Sequence, residues 1–486
     1  MKIKSYFDKY YPNSKLLGYF YNNHFISKVT SNSKEVIPNC VYCHFKGNDN
    51  LNYIDEAILK GAKTILITKK CTYNTNKNIN IIHIDNPKVE LARLNKELYL
   101  KKYLEFPQMI SVTGTTGKTS VCTLIFQILK TLQKDVLLIS SDKVHSYYAN
   151  NYKTYLTNNT TPTNDIIYDY MMQNDTPYDY VIIEISSQGI DDLRVLGIEF
   201  DYTIVTNFHK EHMEYHLNEN NYLNSKLKLL HSTKQHLIIN KDIEHFNKFI
   251  SESIVPYTTY GINNGDVSGN IIKSNLEETL FYLKILNKKY LVKSKLIGDF
   301  TGYNLLSVLT LFQIMGFSLL KVIDIIENIN EIKGRMNIIK YQGMYLIVDY
   351  AHSKIALENL LTFIKKNVKR KLFVVIGAGG MRDASNRYFI GDLVTKLSDY
   401  AIFTEDNSRE EKVEDIINDI TKNIKSDNYK VIYNRKDAID YAISLSSEDD
   451  IVLIVGKGNE DYIINKEKYK FNDLEYIKSL VNIHDE

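Results

Sequence analysis

Met109-Ile110-Ser111-Val112-Thr113-Gly114-Thr115-Thr116-Gly117-Lys118-Thr119-Ser120 is the stretch on which the reading of this chain turns. Met109, Ile110 and Val112 give its approach the apolar character of a strand. Val121, Leu124, Ile125, Ile128 and Leu129 give its exit the spacing of one helix face. Between them lies a turn with two glycines, where backbone N–H groups converge at the positive end of a helix beside the Lys118 ammonium. Such a turn cradles a nucleotide's polyphosphate, and the Thr119 hydroxyl can reach its magnesium. Gly114, Thr115, Thr116, Gly117, Lys118, Thr119 and Ser120 are therefore the candidate ATP-binding residues. The general motif has a glycine where this chain has Val112, so the reading rests on context: Gly-Lys-Thr at a strand-to-helix corner.

Outward from this corner, strands and helices alternate. Apolar runs at Tyr180 to Ile185, Tyr202 to Thr206 and His236 to Ile239 are separated by helical patterns, which predicts a mostly parallel, doubly wound sheet. After Gly334 the alternation repeats through Tyr345 to Val348, Leu372 to Ile376, Tyr400 to Thr404, Lys430 to Tyr433 and Ile451 to Val455. Before it, shorter runs (Val36 to Phe45, Thr64 to Thr68, Ile81 to Ile84) flank a helical stretch at Ile54 to Lys60. A charged segment meeting Pro107 reads as a linker. The 486 residues suit about three domains at ~150 residues each. The expected fold class is α/β in three domains. Residues 1–106 form a small mixed α/β domain, 107–333 a central P-loop ATPase-like domain, and 334–486 a Rossmann-like α/β domain.

Composition removes several classes. A net charge of +2 supplies no global field to draw nucleic acid or a membrane surface. No apolar run approaches the ~18 residues that span a bilayer, and the start of the chain carries no apolar leader pattern. A cytoplasmic monomer without nucleic-acid partner or stable membrane association is expected. Cys40 and Cys43 form a C-x-x-C that no second pair completes, so these two, with Cys71 and Cys122, read as buried reduced thiols.

Polar residues gather after the apolar strands, where α/β sheets bind ligands. Glu184 ends one strand and can serve magnesium, with Ser186, Ser187 and Gly189 following. His209, His212 and His216 lack a fourth ligand for zinc, and Lys226 and Lys228 follow on a helix with Leu223, Leu227 and Leu230. Arg335 stands at the junction before the last region, placed to close over phosphates. Asp349 to His352, Gly377 to Asp383, Asp406 to Arg409 and Gly456 to Asp461 end four strands of that region. They suggest a site for a multiply charged small molecule. Arg382 and Arg409 take carboxylates; Asp406 and Glu460 take ammonium groups.

The order of these motifs resembles that of the Mur ligases, and among them those that lengthen a UDP-N-acetylmuramoyl dipeptide to a tripeptide. The resemblance covers nearly the whole chain, adding Asn159-Thr160-Thr161-Pro162, Tyr222 to Leu230 and Gly334-Arg335-Met336 to the stretches above. It implies that ATP phosphorylates a substrate carboxylate and that an amine attacks the acyl phosphate to form an amide, here in peptidoglycan precursor synthesis. It implies that Lys118 and Thr119 hold phosphates and magnesium, and that Glu184, His212 and Lys226 serve the magnesium ions. Lys226 would carry a CO2-derived carbamate. Asn304 and Arg335 would contact the nucleotide. Ser33 would meet uridine, and Asn159, Thr160, Thr161, Ser186 and Arg194 the UDP-sugar dipeptide. Arg382, Asp406, Asn407, Ser408, Arg409, Gly456 and Glu460 would hold the incoming amino acid.

The resemblance implies that Arg409, in Asp406-Asn407-Ser408-Arg409, takes the distal carboxylate of meso-diaminopimelate, which favours that amino acid over L-lysine. The chain departs from the family pattern at Lys34, Gln188, Asp192, Glu211, Leu217, Thr301, Met381 and Ser408, where arginine, histidine, glutamine, aspartate, glycine, asparagine, aspartate and proline are usual. Most of these fall on the acceptor and recognition side. A family member adding L-lysine, or joining a different acceptor, therefore stays open. A nucleotide-binding protein without catalysis is opposed by the presence of Lys118, Glu184, His212 and Lys226 together.

Overall fold

The structure is a computed structural model, and it describes residues 1–12, 17–19, 23–75, 78–157, 159–381 and 384–481. The chain forms two compact units: residues 1–111, 133–203 and 228–235 in the first, and 112–132, 204–227 and 236–486 in the second.

The first unit begins with a five-stranded sheet in the order Leu17–Tyr19, Asn80–Ile84, Thr64–Thr68, Val41–Cys43, Val29–Thr30. All pairs are parallel except the one made by Leu17–Tyr19. Strand residues alternate between two covered faces, so the strands read as unbroken apolar runs. Leu66, Ile82 and Ile84 pack with Ile3, Tyr6 and Phe7, while Ile65, Ile67 and Ile81 pack with Ile54, Ala57 and Ile58. The helix Pro87–Tyr103 starts at an Asn86 cap that accepts from the Lys88 amide, with proline at its first position. Its last turn holds Lys101 and Lys102, so the charged stretch read as linker is partly helix, with cations at the negative end of the dipole.

The first unit also holds strands in the order 233–235, 200–203, 108–111, Tyr180–Glu184, Val136–Ile139, Lys143–Tyr148, Asn151–Leu156. Tyr180–Glu184 and Val136–Ile139 pair in parallel. The last two strands form an antiparallel hairpin whose turn residues, Ala149 and Asn150, both have positive φ, at 48° and 63°. That is the turn geometry that matches the twist of a hairpin.

In the second unit the strand order is Lys288–Ser294, Thr279–Ile285, Val267–Ser274, Tyr257–Ile262, 236–240, 204–205, 112–113, with the first three joined antiparallel. A six-stranded sheet follows, in the order Asn337–Tyr341, Met344–Asp349, Ile451–Val455, Leu372–Ile376, Tyr400–Phe403, Tyr429–Val431. Only its first pair is antiparallel. Ile347, Val374 and Leu453 face one core and Val348, Val375 and Val452 the other. The strand Ile451–Val455 inserts between two earlier ones, so the exits carrying Asp349, Gly377 and Gly456 lie side by side. The α/β class and the mostly parallel sheets are as expected from sequence. Cys40, Cys43, Cys71 and Cys122 are buried and form no disulfide. Among the described residues, no helix is long and apolar enough to cross a membrane.

Candidate active site

The nucleotide loop leaves the strand Gln108–Thr113 and enters the helix Lys118–Thr131. Gly114 has φ +149°, and a Cβ there would lie 1.9 Å from Thr206 Oγ1. Gly117 is the left-handed cap of the helix at φ +79°, and a Cβ there would meet Asn304 Oδ1 at 2.6 Å. Both positions therefore require glycine. One side chain braces the loop between them. Asn207 Oδ1 accepts from the Thr115 and Thr116 amides at 3.0 and 2.8 Å. Its Nδ2 donates to Thr116 O at 3.1 Å and Thr116 Oγ1 at 2.8 Å. Thr206 Oγ1 donates to Thr116 O at 2.7 Å. Thr115 and Thr116 thus spend their amides on the loop's own architecture. The start of the helix, from Gly117 onward, is where backbone N–H groups can meet an anion.

Two lysines enter the loop from below. Lys118 Nζ donates to Gly114 O at 3.0 Å and to Thr115 O at 2.9 Å. Lys226, from the helix Glu219–Leu230, donates to Gly114 O at 2.9 Å, with its Nζ 4.7 Å from the centre of the Tyr222 ring. Lys226 is 1 % exposed. Burial first and Lys118 second push its pKa well below the ordinary lysine value, and Glu211 works weakly against them. Tyr222 also shares a hydrogen bond of 3.0 Å with Thr115 Oγ1. His212 has left-handed backbone, φ +60°, at the head of the short turn Met213–His216. Its burial lowers its pKa and favours the neutral imidazole, and its Nδ1 is 3.4 Å from Glu214 Oε1. His216 is buried against Tyr215 and Tyr222, which gives it a packing role.

In the first unit, Glu184 ends its strand with a buried side chain whose Oε2 accepts from Ser141 N at 2.9 Å and Ser141 Oγ at 3.1 Å. Thr161 Oγ1 donates to Glu184 O at 3.0 Å and accepts from Ser186 N at 2.9 Å. Ser186 Oγ caps the helix Ser187–Asp191 by accepting from Gly189 N. Arg194 donates to Thr161 O at 2.9 Å and pairs with Asp192 Oδ2 at 2.8 Å. The structure so gathers Thr161, Glu184, Ser186 and Arg194. Asn159 and Thr160 lie beside them in sequence, and Asn159 O accepts from Thr157 Oγ1. Ser33 sits in the Ser33–Glu35 turn, with its hydroxyl donating to Glu56 Oε2 at 2.6 Å. The loop before it is held by Asp165, whose Oδ2 accepts from Thr30 Oγ1, Ser31 N and Ser31 Oγ.

In the six-stranded sheet of the second unit, Arg335 stacks on Tyr350 with its Cζ 4.3 Å from the ring centre. Tyr350 donates to Glu460 Oε1 at 3.3 Å, and Glu460 Oε2 accepts from Asn407 Nδ2 at 2.6 Å and Lys457 Nζ at 3.2 Å. Lys457, fully buried, also donates to Tyr462 O at 2.6 Å. Buried Asp349 accepts from the Met336 and Ala351 amides. Burial raises its carboxyl pKa, with Arg335 opposing. Arg409 takes left-handed backbone, φ +55°, and its NH1 donates to Gly380 O at 2.7 Å. Ser408 is buried, with its hydroxyl oxygen unpartnered. Gly456 has φ +109°, and a Cβ there would lie 2.9 Å from Asp406 Oδ2. The structure thus brings Asp406, Asn407, Ser408, Arg409, Gly456 and Glu460 together, while Arg382 lies outside the described residues. Sequence reading singled out neither Lys457 and Asp165 nor the brace made by Asn207. Their only signal was a place inside quoted motifs or next to them.

Family models match most of the chain: the Mur ligase middle domain over residues 112–312, and the Mur ligase glutamate ligase domain over residues 334–458. Three curated relatives carry the name UDP-N-acetylmuramoyl-L-alanyl-D-glutamate–2,6-diaminopimelate ligase. The one from Fusobacterium nucleatum is 33% identical over 92% of this chain and 92% of its own length. The one from Clostridioides difficile is 33% identical over 93% and 94%. The one from Rickettsia bellii is 33% identical over 94% and 96%. A solved structure of a ligase of that name has the same fold, with a TM-score of 0.67, 24% identity and 98% of both chains covered. The ligase MurF from Thermotoga maritima, solved in complex with ADP, shares the fold at a TM-score of 0.63, with 18% identity over 88% of this chain and 93% of that one.

Proposed function

The chain belongs to the Mur ligase family, and from that premise we propose that it joins meso-diaminopimelate to UDP-N-acetylmuramoyl-L-alanyl-D-glutamate during peptidoglycan precursor synthesis. It is an ATP-dependent acid–amino-acid ligase. The observation that supports the diamino acid best is the turn 406–409, whose Arg409 guanidinium rests on Gly380 O, with Glu460 held by Asn407 at the neighbouring strand exit. A guanidinium for a distal carboxylate and two carboxylates for ammonium groups match a zwitterion charged at both ends.

In this reading Gly114, Thr115, Thr116, Gly117, Lys118, Thr119 and Ser120 hold ATP, and Asn304 and Arg335 contact it. Ser33, Asn159, Thr160, Thr161, Ser186 and Arg194 hold the UDP-sugar dipeptide; Arg382, Asp406, Asn407, Ser408, Arg409, Gly456 and Glu460 hold the amino acid. The regions 1–106, 107–333 and 334–486 divide these tasks, in a monomer working in the cytoplasm. Thr119, Glu184 and His212 suit magnesium through a hydroxyl, a buried carboxylate and a neutral imidazole. Lys226 fits the carbamate: a neutral amine adds CO2, an ammonium does not, and burial, with Lys118 second, favours the neutral form of this amine. Magnesium would supply charge neutralisation between phosphate and carboxylate oxygens.

The reaction balances simply. The acceptor carboxylate attacks the γ-phosphorus and ADP leaves. The free amine of the amino acid then attacks the acyl carbon, and inorganic phosphate leaves. Lys118 offsets charge on the transferring phosphoryl group. An acceptor labelled with 18O in its carboxylate tests this order: one label must appear in the released phosphate. Unlabelled phosphate excludes the acyl phosphate.

One observation favours a second reading, ligation to another acceptor. Asp192, at a position where the family usually has glutamine, pairs with Arg194 at 2.8 Å and neutralises a cation assigned to the acceptor.

A further inference from the structure

Behind the strand exits of the six-stranded sheet lies an arginine that the ligation chemistry does not use. Arg435 opens the helix Arg435–Leu445, and its side chain has no exposure. Its Nε and NH2 donate to the two carboxylate oxygens of Asp473, each at 2.8 Å. Asp473 opens the helix Asp473–Leu480 and is equally buried. Two further donors go to backbone: NH1 to Glu405 O at 3.2 Å and NH2 to Val455 O at 2.9 Å.

Those two carbonyls belong to different strand exits. Glu405 follows Tyr400–Phe403 and precedes Asp406; Val455 ends Ile451–Val455 and precedes Gly456. The strand Leu372–Ile376 runs between them and leaves through Gly377, where a Cβ would lie 2.5 Å from Thr404 O. The Arg435 amide also meets Glu405 Oε1 at 3.3 Å, and Tyr469 donates to the same oxygen at 2.8 Å. A buried ion pair adds little net stability over apolar side chains of the same volume. What apolar side chains cannot do is hold two carbonyls from separate strands at one planar fork.

We propose that Arg435 is a positioning residue of the amino-acid site: it fixes the separation of the strand exits that carry Asp406 and Gly456, with Asp473 holding the plane of its guanidinium. The inference rests on the amino-acid role given to those exits above. A lysine at 435 keeps the charge but cannot reach both carbonyls and the carboxylate in one plane, so the gap between Asp406 and Gly456 is no longer set.

The test compares wild type, Arg435→Lys and Asp473→Asn in steady-state phosphate release, with active sites counted by ADP binding. The expected result is a KM for the amino acid raised about tenfold or more in Arg435→Lys, with the KM for ATP and the kcat per active site nearly unchanged. Asp473→Asn, which keeps the guanidinium and loosens only its plane, shows the same split at smaller size and carries the test if Arg435→Lys does not fold. Equal rises in both KM values, no rise in either, or failure of both variants to fold makes the pair a staple of the fold and overturns the inference. If wild type does not turn over diaminopimelate, the proposed function fails separately. The inference is then read from hydrogen exchange, which must quicken in peptides 404–409 and 455–460 of Arg435→Lys and not in 372–376. Uniform exchange changes overturn it.

Discussion

Lys118 and Lys226 donate to the same atom: both Nζ groups reach the carbonyl of Gly114, at 3.0 and 2.9 Å. Two ammonium groups on one carbonyl repel, and the buried partner gives way. Lys226 loses its proton most readily because burial and Lys118 both disfavour its charge. The first glycine of the loop thereby joins Lys118 to an amine whose neutral form is favoured.

Stability against pH follows with a definite sign. Unfolded Lys226 keeps its proton up to ~10.4, whereas the folded chain releases it well below that. Between those values the unfolded state binds more protons, so this group's penalty on folding shrinks as pH rises. In CO2-free buffer, the melting temperature of wild type is expected to gain relative to Lys226→Met as pH is raised through this window. Parallel curves contradict the depressed pKa.

Lys226→Ala is expected to lose nearly all ligase activity, with excess bicarbonate giving no rescue. Wild type exposed to 13C-labelled bicarbonate is expected to show one carbamate resonance that the variant lacks. Near-normal turnover by the variant removes the carbamate role.

Asn207→Ala deletes four hydrogen bonds to Thr115 and Thr116. At about 1 kcal/mol net per bond, part of it recovered by water, a cost of ~2–3 kcal/mol in loop order is expected. Calorimetry should show ADP binding weakened by about 25- to 150-fold, since 1.4 kcal/mol is a factor of ten. Unchanged ADP affinity means that the loop holds its shape without this brace.

Arg409→Ala is expected to raise the KM for diaminopimelate far more than the KM for ATP. The loss of a charge-assisted pair with a carboxylate is worth ~1.5–3 kcal/mol, or about ten- to a hundredfold. Equal effects on both KM values contradict the assigned pocket.

The sequence made parts of this molecule legible because they are dictated locally. Thr64–Thr68, Leu372–Ile376 and Ile451–Val455 are five-residue apolar runs covered on both faces, and their bounds come out as read. The strands Lys143–Tyr148 and Asn151–Leu156 escaped notice, because the outer one is polar and its hairpin turn uses Ala-Asn instead of a glycine pair. The antiparallel strands Val267–Ser274 to Lys288–Ser294 escaped for a related reason: Thr279–Ile285 alternates buried and exposed residues, and its two neighbours are broken up by lysines, serines and an asparagine. In the candidate site, Gly-Lys-Thr announced the loop. That Asn207 and Lys226 close on it from ~90 to 110 residues away is tertiary information, and no spacing encodes it. The pairing of Asp192 with Arg194 likewise needed coordinates, because two residues apart in sequence says nothing about which way each side chain turns.

The most direct measurement is phosphate release from ATP with UDP-N-acetylmuramoyl-L-alanyl-D-glutamate and, in separate reactions, meso-diaminopimelate, L-lysine, L-ornithine or no amino acid, with product mass read in parallel. The account predicts turnover with diaminopimelate alone and a product heavier by one diaminopimelate residue. Turnover with L-lysine instead contradicts the pocket built around Arg409. No turnover with any of them, from protein that binds ATP, contradicts the proposed acceptor.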